Sequence, residues 1–531
     1  MNLHEPKKSR FRTLSSLDRD RVQAAIDAHA DELSRITGLI AVRPGFPIRG
    51  GQLQREPAVI VYVRRKLSPM ELPASGIAPR SLDQFPVDVR MADPETQLEW
   101  LRPQGDVAAL AAHYDGIPGD PIDIQLEITT PILCHVGPDA GWIPLRDFIS
   151  NTQSTFQAAI YDFSAPYIAD AITEAIGSAG VSMTLNIDSS MKDAELEIQN
   201  SLALALKDRY VSQIITCGGA GAFPTAYHEK VIVRDSEWVW ISSGNWTKNS
   251  QPEKDPIGNP DDVTGLYKAN REYHLILQDK ALASLLAQYL EHDRDQAAAT
   301  AGLGAIAQEE LPDLFVSLDE LREDIGLAAL ASPDPIAPQW LPSEPRAITI
   351  SPVLSPDNYA RRIDELVRSA TRSLHLQYSY ITWPKREKDF FFRDLLVYIG
   401  ELSQRDDFDL KVIIGSSSAT EKIAILAENG WNEEKVRTQS PIHNKAIIAD
   451  GERVLVSSQN WSGDGFLWNR DAGIIIDDEE IAQYFERVFD FDWLARSRAP
   501  FEASLGAIVA GPADPTPPGM VRMRWRDFYG D

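Results

Sequence analysis

Two cysteines, Cys134 and Cys217, are all that the 531 residues contain. One pair cannot staple so long a chain, so a disulfide framework is excluded and a reducing, cytoplasmic setting is expected. No run approaches ~18 unbroken apolar residues, so no membrane-spanning helix is expected. The opening, Met1 to Arg12, is basic and polar without an apolar core and does not read as a secretory signal. Positive charge is scarce: 52 Lys and Arg stand against 78 Asp and Glu, a net charge of −26. That balance works against a surface that grips polyanions generally, while leaving room for a local basic cleft. Nowhere do Cys, His and acidic residues gather at metal-ligand spacing, so neither a metal nor a cofactor is expected.

What the chain does have is a pattern that occurs twice. The first copy is His228-x-Lys230-x4-Asp235, six residues, then Ser242-Ser243-Gly244-Asn245-Trp246; the second is His443-x-Lys445-x4-Asp450, six residues, then Ser457-Ser458-Gln459-Asn460-Trp461. The two His lie 215 positions apart, as do the two Asn. Each half adds a later triplet, Asn270-Arg271-Glu272 and Asn469-Arg470-Asp471. One such match could arise by chance; two in register could not. His and Lys two apart in a β-branched run emerge on one face of a strand. The strand ends in a polar turn, Asp450-Gly451 in the second copy, and returns into the small-residue loop that presents the Asn. Two halves face to face then offer two imidazoles, two ammonium groups and two amides, a set suited to a phosphoryl group with charge on its equatorial oxygens.

These residues resemble the phospholipase D superfamily, whose signature is the duplicated His-x-Lys-x4-Asp motif followed by Gly/Ser-Ser-x-Asn. The resemblance covers about 116–310 and 346–500. It implies an α/β fold of two phospholipase D-like halves packed about a pseudo-two-fold axis, and two-step transfer through a phosphohistidine. His228 would attack phosphorus and His443 protonate the leaving alcohol, then activate water; sequence symmetry alone allows the roles to be exchanged. Lys230, Lys445, Asn245 and Asn460 would hold the phosphoryl oxygens. Glu272 and Asp471 match the acid that orients a catalytic imidazole, Asp471 on a shorter arm. Asp235 and Asp450, at hairpin turns, read as structural. His274 and His375, in apolar strands, read as structural histidines. The lack of a membrane-spanning run disfavours the membrane-integrated cardiolipin synthases of the superfamily.

Around the repeat the chain divides into a small N-terminal α+β domain (1–115), the first half (116–310), a Pro-rich linker with one helix over Leu318 to Ala331 (311–345), the second half (346–500) and a tail (501–531) whose Val521–Arg526 stretch alternates like an edge strand. Leu17–Ile36 reads as a helix, and Gly38–Val42, Ala58–Val63 and Val87–Met91 as strands. The Gly-rich run from Cys217 to Gly221 is either a phosphate-facing loop or a plain turn. Between Trp246 and Asn270 the first half is 16 residues longer than the second between Trp461 and Asn469, a lid or a tolerated insertion. Trp246, Trp461 and Trp468 are expected to line the substrate cleft; for Trp238 and Trp240 core packing is the simpler reading.

The expected function is hydrolysis or transfer at the phosphodiester of a phospholipid, with peripheral membrane contact; the alternative is a nuclease acting on DNA or RNA, as an effector controlled by residues 1–115. A third reading, a binding module without chemistry, is opposed by the complete motifs.

Overall fold

The computed structural model describes residues 12–67, 72–97, 114–300, 312–318, 334–501 and 507–528, apart from short interruptions at 74–75, 95, 178–179, 192, 220, 416–418, 512 and 526–527. Its frame is two eight-stranded mixed sheets with the same strand order. From edge to edge, the first runs Tyr210–Ile215, Ser182–Asp188, Thr155–Ile160, Lys230–Arg234, Trp238–Ser242, Glu272–Gln278, Ile132–Gly137 and Gln339–Leu341. The second runs Val436–Gln439, Asp409–Gly415, Ser373–Tyr378, Lys445–Ala449, Arg453–Ser457, Asp471–Asp477, Ile348–Ser355 and Leu126–Ile128. In each, three parallel strands joined by helices lead into an antiparallel group that begins with the motif strand. The inner faces share one apolar core that draws Val231, Ile241 and Leu275 from one half and Ala446, Val456 and Ile474 from the other.

The last strand of each sheet is exchanged. Leu126–Ile128, at the start of the first half in sequence, pairs with Ile348–Ser355 of the second. Gln339–Leu341, ahead of the second half, pairs with Ile132–Gly137 of the first. The expected linker is thus partly built into the folded body. Another piece of it, Leu314–Ser317, is the central strand of a three-stranded sheet flanked by Ala507–Val509 and Met520–Met523. Gln296–Thr300 finishes the helix Lys280–Thr300, whose Ala297 and Thr300 are buried. A proline-rich segment can supply a short edge strand such as Gln339–Leu341, where few ladder bonds are required. The helix expected over Leu318–Ala331 lies outside the described residues, apart from Leu318.

Each motif strand turns back at an Asp with positive φ, 55° at Asp235 and 57° at Asp450. Both carboxylates accept backbone N–H bonds from the loop before the neighbouring strand: Gln153, Ser154 and Thr155 for Asp235; Thr371, Arg372 and Ser373 for Asp450. Despite burial, those bonds hold both acids below the ordinary carboxylate range. In the second half the next turn residue is Gly451, where positive φ is free of steric cost; in the first it is Ser236 at 54°, which costs about 1 kcal/mol.

The N-terminal domain pairs Leu39–Gly45, Ala58–Val63 and Phe85–Met91 under the helix Ser16–Ala28, which breaks at His29 rather than running on to Ile36. It rests on the second half. Arg43 and Arg90 reach Glu421 and Glu428 of the helix Ala419–Glu428, with Arg43 Nη1 2.9 Å from Glu428 and Arg90 Nη1 2.9 Å from Glu421. Gln97 bonds both Ala507 O and Val509 N, tying the domain to the tail sheet.

Candidate active site

The motif strands bring His228, Lys230, His443 and Lys445 to the junction of the two sheets, all nine-tenths buried or more. Each His is oriented by the acid of the opposite half. His228 Nδ1 lies 2.6 Å from Asp471 Oδ1, and His443 Nδ1 lies 2.7 Å from Glu272 Oε1. A carboxylate on Nδ1 assigns the proton there and leaves the lone pair on Nε2. The shorter Asp471 arm therefore still reaches its imidazole. A serine of each motif fixes each acid: Ser243 Oγ donates to Glu272 at 2.6 Å, and Ser458 Oγ to Asp471 at 2.7 Å.

The cross-bracing continues through the backbone. Arg470 O accepts the N–H of His228 at 2.7 Å, and Arg271 O accepts that of His443 at 3.0 Å. The arginine side chains, both fully buried, bind carboxylates from both halves. Arg271 holds Asp139 at 2.6 Å and Asp492 at 2.9 Å; Arg470 holds Asp357 at 2.6 Å and Asp293 at 2.7 Å. Sequence reasoning quoted both arginines but assigned them no task, and it missed all four aspartates. The signal was present: Asp492 follows Asp293 by the same 199 residues that separate Arg470 from Arg271, and Asp357 follows Asp139 by 218, as Ser355 follows Gly137.

The two imidazoles differ in their surroundings. His228 packs edge-on to Tyr161 at 4.8 Å, and its Nε2 is buried without a protein hydrogen-bond partner. Burial first, then the charge of Lys230, push its pKa down to about 4, against the opposing pull of Asp471. It is therefore a neutral base at pH 7. Lys230 Nζ donates to His228 O at 2.8 Å and lies 5.3 Å from the centre of the Tyr161 ring. Across the site Lys445 Nζ is 2.6 Å from His443 Nε2, so a proton can sit between them. Burial works to raise Glu272, but His443, Lys445 and Ser243 together outweigh it and hold the carboxyl below its usual range. Asn245 and Asn460, both buried, follow the motif serines. Between His228 and Lys230, Glu229 points the other way, toward Arg470; burial, then the charge of Asp293, push its pKa up to about 8.

Two of the expected cleft residues are not in a cleft. Trp246 is fully buried against Phe163, and Trp461 is fully buried against Tyr378, donating to Tyr359 OH at 3.2 Å. Their backbones explain this: Trp246 N bonds Asp162 O and Thr382 N bonds Trp461 O, so each indole is pinned under the end of the neighbouring strand. Trp468 is half-buried, with Nε1 on Asp389 at 3.0 Å and Lys388 Nζ 4.7 Å from its ring centre. His274 is bonded to Ser242 and His375 to Asp409. The Gly-rich run is a turn, with Gly221 N bonded to Gly218 O. Among the described residues no group of three or more His, Cys, Asp or Glu is placed to hold a metal ion, and no helix is long and apolar enough to cross a membrane.

The family described as "Cardiolipin synthase, PLD-like domain" matches residues 145–294 and 363–493, together more than half of the chain. The chain belongs to the phospholipase D superfamily. Among solved structures, this phospholipase D-like chain is similar to phosphatidylserine synthase from Haemophilus influenzae, at 13% identity over 70% of this chain and 89% of that one, with a TM-score of 0.45. It is also similar to Nuc, a phospholipase D family member from Salmonella typhimurium, at 19% identity over 32% of this chain and 96% of that one, TM-score 0.25. NucT from Helicobacter pylori follows at 17% identity, 33% and 98% coverage and a TM-score of 0.24. No curated protein matches the chain in sequence.

Proposed function

We propose that the chain is a phosphodiesterase that hydrolyses or transfers the phosphodiester of a phospholipid through a phosphohistidine on His228. The observation that carries the chemistry is the contrast between the imidazoles: His228 Nε2 is buried without a protein hydrogen-bond partner, whereas His443 Nε2 lies 2.6 Å from Lys445 Nζ. The His228 lone pair forms the N–P bond as the P–O bond to the headgroup breaks, and His443, entering the step as an imidazolium protonated on both nitrogens, delivers its Nε2 proton to the departing oxygen. Water then gives a proton to His443 as its oxygen attacks phosphorus, the N–P bond breaks, and the phosphomonoester leaves. Lys230, Lys445, Asn245 and Asn460 stabilise the equatorial oxygens, while Asp471 and Glu272 keep each imidazole in register. Two lysines supply the charge, so turnover is expected to survive exhaustive EDTA dialysis.

The lipid reading is supported by the net charge of −26, which disfavours steering of a long polyanion. The aromatic part of that argument falls away with the burial of Trp246 and Trp461. One observation favours a nucleic acid instead. The loop after Ile381, which leaves the site beside Trp461, carries Trp383, Lys385 and Lys388, the last over Trp468. Stacking rings among cations suit a single strand. The test is headgroup release from mixed vesicles, with and without ethanol, beside single-stranded DNA and RNA. Headgroup release, with phosphatidylethanol formed when ethanol is present, is expected; cleavage of nucleic acid with intact vesicles would transfer the assignment to the nuclease.

A further inference from the structure

Behind the first-half histidine lies a buried acid cluster that the mechanism does not use. Arg470 is fully buried, and three carboxyls face it: Asp293 in a two-pronged pair at 2.7 and 2.9 Å, Asp357 at 2.6 Å, and Glu229 at 3.5 Å. Tyr227 OH accepts a bond from Asn186 at 3.1 Å and donates to Glu229 at 3.1 Å; Tyr114 OH donates to Asp357 at 2.8 Å. Asp471 adds its charge from the site side, and His228 and Lys230 occupy the opposite face of the motif strand. One guanidinium cannot neutralise three buried carboxylates, so the cluster keeps a proton.

The second half has no such excess. There Asn444 stands where Glu229 stands in the first, donating to Gln377 at 2.8 Å, and among the described residues Arg271 faces two carboxylates, Asp139 and Asp492, with Arg496 3.7 Å from Asp492. The cluster matters to the site because Arg470 is the residue whose carbonyl accepts the His228 N–H, and the next residue, Asp471, orients the His228 ring.

We propose that Glu229 is a positioning residue for His228: protonated, it lets Arg470 hold the two halves together behind the imidazole, and its ionisation sets the alkaline limit of the enzyme. The proposal rests on the phosphodiesterase reading for its effect on turnover, but its effect on stability does not. A carboxyl whose folded pKa is raised from about 4.5 to about 8 contributes stability that is complete below about pH 4.5 and is lost as the pH climbs through about 8. Glu229→Gln mimics the protonated form at every pH.

Melting temperature from pH 5 to 9 and kcat on a chromogenic phosphodiester from pH 7 to 9 are to be compared in the wild type and Glu229→Gln, with Asp293→Asn as the second variant should the first not fold. The wild type is expected to lose several degrees more than the variant, and its kcat ratio between pH 9 and pH 7 to fall below the variant's by up to about tenfold, the extent of ionisation one unit above the pKa. Parallel melting curves and equal kcat ratios would overturn the proposal. Should no phosphodiester turn over, the melting curves alone decide it.

Discussion

The two halves share what touches at the junction and differ in what lies behind it. Both supply His, Lys, Asn, an orienting acid and a clamp arginine in the same register. They part at three linked positions. The first half pairs the longer Glu272 with Gly244, where a Cβ would sit 2.7 Å from Glu272 Cδ. The second pairs the shorter Asp471 with Gln459, a residue that has the Cβ the first half cannot accept. Glu229 corresponds to Asn444, and the long insertion 247–269 to the much shorter 462–468. The lesson is that duplication keeps a group alike where the two copies meet at the junction. Elsewhere each half has adjusted acid length, backbone room and buried charge together.

The largest expected effect tests the shared part. His228→Ala and His443→Ala should each lower turnover by at least about 10³-fold, because one imidazole carries the covalent bond and the other the proton. Lys230→Ala or Lys445→Ala should cost on the order of 10²-fold through lost charge stabilisation. Circular dichroism checks that the fold survives, and appreciable turnover in either His variant would end the two-histidine account.

Next come the clamps. Arg271→Met and Arg470→Met each leave buried carboxylates without their cation, and each should destabilise the protein by about 3–5 kcal/mol in denaturant titration. Because three carboxyls face Arg470 against two at Arg271, the Arg470 variant should regain stability on mild acidification more than the Arg271 variant does. Equal recovery would mean that the charge difference between the halves is without consequence.

The smallest effect sharpens the comparison most. Gly244→Ala should cost about 1–3 kcal/mol and displace Glu272, and adding Glu272→Asp should recover much of the loss by copying the combination in the second half. A double-mutant cycle measures this coupling; strictly additive losses would show that Gly244 and Glu272 are not matched to each other.

The motif spacing alone pointed to the paired His and Lys that the fold brings to the junction. His-x-Lys in a β-branched run must put both side chains on one face, and two copies in register must come from two like halves, so the fold and the His, Lys and Asn positions were legible. The hairpin role of Asp235 and Asp450 was legible too, because turn chemistry is local. What the sequence could not disclose was anything that depends on which chain segment lies opposite. Nothing within Leu126–Ile128 or Gln339–Leu341 says that each strand completes the other half's sheet. Nothing in Trp246 or Trp461 says that the residue after the catalytic Asn turns inward rather than toward the cleft. The crossed pairing of Asp471 with His228 and Glu272 with His443, and the burial of Arg271 and Arg470 among acids from both halves, exist only once the sheets are packed. Strand periodicity is set by neighbours along the chain, whereas burial, ion pairing and the pKa of Glu229 are set by neighbours across it.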